Sequence, residues 1–172
     1  MAISLYDVSV ASFQQVLAGV AGFLEKGRTH FGAHGVDLNE IVVARIHPDM
    51  FPFRFQVVSV AHHSLGALKG VEAGAFGPPN AGELDYAGLQ SLIAEAQAGL
   101  QTYTRQAVEA LEGRDVEFRL GPNRLPFVAE NFLMSFSLPN LHFHATTAYD
   151  ILRMKGVPLG KRDYLVQVRI KT

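Results

Sequence analysis

The chain carries seven histidines and no cysteine. Disulfides, thiolate metal centres and cysteine nucleophiles are therefore excluded, and imidazole becomes the main group able to move protons or bind a metal near neutral pH. His144 stands in the segment 139–153, where Leu141, His144, Ala148, Ile151 and Leu152 share one helical face by three-and-four spacing. Its ring is expected to point inward, while His142, about 200° away around the helix, faces elsewhere. An inward histidine needs a partner, because an unpaired buried polar group costs a few kcal/mol. It is either a core histidine bonded to a backbone carbonyl or a tyrosine, or a ligand or proton-transfer group.

His62 and His63 are neighbours in a second apolar segment, 51–68. Adjacent helical residues diverge by about 100°, so at most one of them joins a site with His144. Sites in helical bundles form in this way, from side chains of facing helices. A bound metal needs at least three protein ligands, and His30, near the end of the first helix, is the remaining candidate. His34 beside Gly35 and His47 before Pro48 are expected to be solvated. Glycine-rich nucleotide fingerprints, a phosphate loop, a His-Glu-x-x-His pair and a Ser-His elbow are all missing.

Composition narrows the classes further. With 48% apolar and 18% charged residues, the 172 residues read as one folded domain, 1–172, able to bury a substantial core. A net charge of −1 with interspersed signs leaves no basic stripe for a phosphate backbone, which argues against nucleic-acid partners. No uninterrupted apolar run reaches the ~18–20 residues of a membrane span, and residues 1–7 lack a basic and then apolar leader, so no membrane partner and a cytoplasmic location are expected.

Four helices must position the histidines. Phe13, Val16, Leu17, Val20, Phe23 and Leu24 form one stripe of a first helix over 5–31. A short helix at 38–44, capped by Asp37, precedes the second, 51–68, with Pro52 in its first turn. This second helix is apolar nearly all round, which suits a central core position or a subunit interface. Residues 71–83 read as a loop. Asp85 caps a third helix with the stripe Leu89, Leu92, Ile93, Ala96, Leu100, Tyr103, Ala107 and Leu111, ending at Gly113. Val116, Phe118 and Leu120 alternate as a strand, Gly121–Arg124 supplies a turn, and 131–136 is the expected return strand of a small hairpin. The fourth helix runs over 139–155 with Ser137 as cap, and 164–170 could add a short strand. The fold class is thus mainly α, a four-helix bundle with a small β-hairpin between helices three and four.

Two stretches are distinctive: Ala44-Arg45-Ile46-His47-Pro48-Asp49-Met50-Phe51-Pro52 followed by Phe55-Gln56-Val57, and Pro139 to Arg153 continuing through Gly156-Val157-Pro158-Leu159-Gly160-Lys161-Arg162-Asp163-Tyr164-Leu165. Together they resemble an uncharacterised family of domains of unknown function within the DinB/YfiT-like superfamily of metalloenzymes. The resemblance implies an up-down four-helix bundle, often a homodimer. It implies a divalent metal, zinc or nickel, held by three histidines, one on helix two and two on helix four at i and i+4. It also implies thiol-dependent transfer or isomerisation of small molecules in some members. His62 or His63 matches the helix-two ligand and His144 the first helix-four ligand, but Ala148 stands at the second helix-four position. Two functions follow as expectations: a metal- or thiol-dependent transferase or isomerase with a histidine site between helices two and four, or a non-catalytic dimeric binding module with a degenerate, metal-free pocket. Lys161 and Asp163 are expected either to ring the mouth of the site or to form a solvated turn.

Overall fold

A computed structural model describes residues 3–166 and 168–171. In chain order the helices are α1 Leu5–Val8, α2 Val10–Ala33, α3 Leu38–Val42, α4 Phe53–Ala61, α5 Ala67–Ala73, α6 Tyr86–Gln101, α7 Arg105–Glu109, α8 Ala129–Asn131, α9 Leu138–Met154 and α10 Lys161–Leu165. Two π-helical stretches, His62–Gly66 and Phe132–Ser137, join α4 to α5 and α8 to α9. Strands β1 Ala75–Phe76, β2 Asp115–Leu120 and β3 Asn123–Val128 form one small sheet.

The stripe on α2 is the heart of the core: Phe13, Leu17, Val20, Phe23 and Leu24 are completely buried. Helix α2 packs against α6 and α9, and α4 packs against the same two. Helix α4 takes the central position its apolar composition predicts, with seven of its nine residues buried. The stretch Leu5–Ala33 is long and apolar enough to cross a membrane by length and composition, but half of its apolar window is covered by the rest of the fold. Tyr86 ties α6 to α2 by donating its hydroxyl to the Leu24 carbonyl at 2.8 Å. Gly27 permits this approach, since a β-carbon there would lie 2.5 Å from the Tyr86 hydroxyl.

Several boundaries differ from the sequence reading. The first helix breaks at Ser9, whose hydroxyl bonds the Leu5 carbonyl at 2.6 Å. The third ends at Gln101, because Thr102 bonds back to Gly99 and Thr104 caps a separate helix through the Ala107 amide. Ser137 caps nothing: the backbone is already helical there.

The largest correction concerns the hairpin. The return strand is 123–128, with Leu120 facing Asn123 across a two-residue loop at Gly121-Pro122, and 131–136 is helical. Short hairpin loops set the register, and Gly121 at φ +56° supplies the left-handed residue. Phe132, Leu133 and Phe136 had helical spacing all along. Pro126 is tolerated because β3 is an edge strand. The expected loop at 71–83 also contributes β1, which pairs parallel to β2 through Ala75 with Glu117 and Phe76 with Phe118. At the C-terminal end, Lys161–Leu165 is helical where part of a strand over 164–170 was expected; residue 167 lies outside the described residues.

The sheet is anchored by aromatic rings. Phe76, Phe118, Phe127, Phe132 and Phe136 form a cluster joining it to the second π stretch. That cluster forms one wall of the histidine site.

Candidate functional site

His63 and His144 meet. Their ring centroids lie 5.9 Å apart with planes 14° from parallel. His63 comes from the first π stretch and is buried, and His144 comes from the second turn of α9 and is partly buried. Phe136 and Phe76 pack on His63 at 5.8 and 5.5 Å, while Phe55 and Phe143 flank His144 at 5.9 and 5.3 Å. The walls are therefore aromatic and the polar groups few.

One of those polar groups orders the rest. Gln56, 2% exposed in α4, donates its Nε2–H to the Phe51 carbonyl at 2.8 Å. Its Oε1 is thereby turned toward His144 Nδ1, 2.7 Å away. An amide oxygen only accepts, so Nδ1 of His144 carries the hydrogen and Nε2 keeps a free lone pair. Sequence reasoning passed over Gln56. The available signal was a lone amide inside an otherwise apolar run, since a buried amide must be hydrogen-bonded.

Both imidazoles are neutral at pH 7. Burial, reinforced by repulsion from His62 and His144, lowers His63 to about 3. Burial, with His62 adding to it, lowers His144 to about 4. Three buried polar atoms on these two helices have no hydrogen-bond partner: Ser59 Oγ, His63 Nδ1 and Ser137 Oγ. Unsatisfied buried atoms are uncommon, and a bound water, an ion, local strain or a catalytic role accounts for them where they occur. His63 and Ser137 also lie in π-helical stretches, a distortion that recurs at functional sites.

His62 stays beside the pair, its ring 5.4 Å from that of His63, but it donates Nε2–H to the Gly77 carbonyl at 2.7 Å and stacks on Phe76 at 4.2 Å. The remaining candidates go elsewhere. His30 pairs with His34, their rings 4.2 Å apart at the end of α2. His34 and His47 are exposed, and His47 pairs with Asp49. Asp163 pairs with Lys26 and accepts from the Gly160 amide. Beside it, the Tyr164 hydroxyl meets His142 at 3.1 Å, while α10 itself packs on α2 and leaves much of His142 exposed.

A divalent metal is what the wider fold family leads one to expect. Among the described residues no group of three or more His, Cys, Asp or Glu side chains is arranged to hold an ion. The second helix-four ligand position is Ala148, completely buried. His63 and His144 supply two nitrogens, one of them the partnerless His63 Nδ1, against the three protein ligands of a catalytic zinc site. This donor set does not fit a tightly held divalent ion.

The fold is DinB-like. A DinB family member from Shewanella denitrificans, solved at 1.83 Å, superposes with a TM-score of 0.81 at 25% identity, over 98% of this chain and 95% of that one. The model of a family described as a domain of unknown function, DUF1993, matches residues 5–165, and the chain belongs to that family. No curated protein matches the chain.

Proposed function

We propose that this DUF1993 protein is a cytoplasmic small-molecule transferase or isomerase that works at the His63–His144 pair. We take the chain as one domain, 1–172, with the up-down four-helix arrangement of DinB-like proteins. The reading is carried by one observation: the relay from the Phe51 carbonyl through Gln56 to His144, which leaves a free Nε2 lone pair beside His63. The unpartnered atoms of Ser59, His63 and Ser137 on the same two helices support it.

The low basicity of the pair limits what it does. Moving a proton from a thiol of ordinary pKa about 8.5 to an imidazole of about 4 is uphill by roughly 6 kcal/mol. His144 therefore accepts a hydrogen bond from the substrate and orients it, without storing its proton. The aromatic walls exclude water and strengthen that bond. The assay pairs glutathione with an aryl chloride electrophile, with and without added zinc or nickel. Conjugation above the uncatalysed rate that falls at least about tenfold in His63→Ala and His144→Ala, a loss of ~1.4 kcal/mol or more, is the expected result. A rate equal to background, or unchanged in both variants, contradicts the reading. A metal that co-purifies and is lost with His144 would add a weakly held ion to the site.

A second reading rests on Phe51 and Phe143, 61% and 56% exposed. Both flank the site, Phe51 by stacking on Phe55 at 4.1 Å. Such an apolar rim suits a homodimeric binding module without turnover. Its mark would be a mass by light scattering that doubles with concentration, in a protein inactive in the conjugation assay.

A further inference from the structure

The side of the first π stretch that faces α6 carries a second arrangement, separate from the His63–His144 reading although His62, 5.4 Å from the His63 ring, borders both. A cleft of about 310 Å³ opens there under the 79–84 loop. On one wall Val58, Ala61, His62, Leu65, Gly66 and Lys69 follow helical spacing, and on the other Leu92, Glu95 and Ala96 do the same. The volume is at the small end of the range for small-molecule sites.

Apart from the Asn80 amide, whose Oδ1 accepts from the Gly82 N–H at 3.2 Å, its polar groups are few and of opposite kinds. His62 donates Nε2–H to the Gly77 carbonyl, so its Nδ1 is an acceptor. Gly66 leaves that nitrogen open: a β-carbon at 66 would stand 3.3 Å from it. Lys69 brings an ammonium one turn beyond Leu65, and Glu95 brings a carboxylate from the facing helix. Neither forms an ion pair among the described residues. Between them the floor is apolar, from Val58, Leu65, Leu92 and Ala96.

We infer that this cleft binds a free α-amino acid with an apolar side chain. Lys69 takes the carboxylate, Glu95 and His62 Nδ1 take the ammonium, and the side chain lies on Leu65 and Leu92. An ordinary fatty acid would leave Glu95 facing its apolar tail, and an alkylamine would leave Lys69 unanswered; only a zwitterion satisfies both walls.

The test titrates L-leucine into the ¹⁵N-labelled full chain. Saturable shifts at the amides of Gly66, Lys69 and Glu95 are expected, in wild type and equally in His144→Ala. Lys69→Met and Glu95→Gln, both at exposed positions, should each weaken binding about tenfold, a loss of ~1.4 kcal/mol. N-acetyl-leucine, which lacks the ammonium, and leucine methyl ester, which lacks the carboxylate, should also bind more weakly. Shifts that do not saturate, or binding unaffected by either variant, overturn the inference. So does equal binding of the blocked analogues, or loss of binding in His144→Ala.

Discussion

Acidification from pH 6.5 to about 4 is expected to destabilise the protein by an amount set largely by His63 and His144. In the unfolded chain both titrate at the ordinary 6.5, whereas in the fold they hold off protons to about 3 and about 4. Between those limits the unfolded state binds more protons, so stability rises with pH. The contribution is fully present above 6.5 and is lost as the pH falls through the folded values. Each tenfold difference in proton affinity is worth about 1.4 kcal/mol. Because the two rings repel each other once charged, the pair together is worth on the order of a few kcal/mol, a large part of the 5–15 kcal/mol typical of a domain. Carboxylates enter only at the acid end of the window: Glu25, held down to about 2 by Arg28, and Glu130, held low by the Gly113 amide, add to the loss below their ordinary 4.5, and Asp163 and Asp7, held low by Lys26 and Arg105, add to it below 3.8. Urea midpoints at pH 7, 5 and 4 check this in wild type and in a His63→Leu, His144→Leu double variant. The variant should flatten most of the slope, with a remainder from His62 and His142, which burial also lowers. An unchanged slope contradicts the assignment.

Truncating Phe132 to alanine should cost about 3–5 kcal/mol, the range for deleting a buried aromatic ring. Phe132 is completely buried and contacts Phe76 at 5.0 Å, Phe136 at 5.6 Å and Phe127 at 5.8 Å. For a chain of this length that corresponds to a fall in melting temperature of roughly 6–20 °C. The loss also reaches the site, because Phe136 packs on His63 and Phe76 stacks on His62. A scanning calorimetry trace of Phe132→Ala beside Phe132→Leu checks both points. The leucine variant keeps most of the volume and should recover most of the stability; a loss under about 1 kcal/mol in the alanine variant would place the ring outside the core.

How much of this was legible beforehand follows from the kind of signal each element carries. The stripe of α2, that of α6 as far as Leu100, and the caps at Asp37 and Asp85 are local patterns and stand where the sequence placed them, whereas Tyr103, Ala107 and Leu111 lie beyond the end of α6. Residues 131–136 failed because a short apolar run can fit either period, and the tight turn at Gly121-Pro122 had already chosen another partner for β2. The inward turn of His144 followed from its spacing on one helix. Which of His62 and His63 would meet it depended on α4–α9 packing and on a π distortion that adds its own rotation. Gln56 stood out only as a buried amide; its role arises from one local partner, the Phe51 carbonyl at the helix start, and one long-range partner, His144 on a different helix.

The most direct test is the nitrogen NMR spectrum of His144 in protein labelled with ¹⁵N at the imidazole nitrogens, recorded across pH. A proton on Nδ1, a bare Nε2 at pH 7 and titration near 4 are the expected observations. A proton on Nε2, or titration near the ordinary 6.5, would mean that the Gln56 relay does not present a free lone pair, and the proposed site would fall with it.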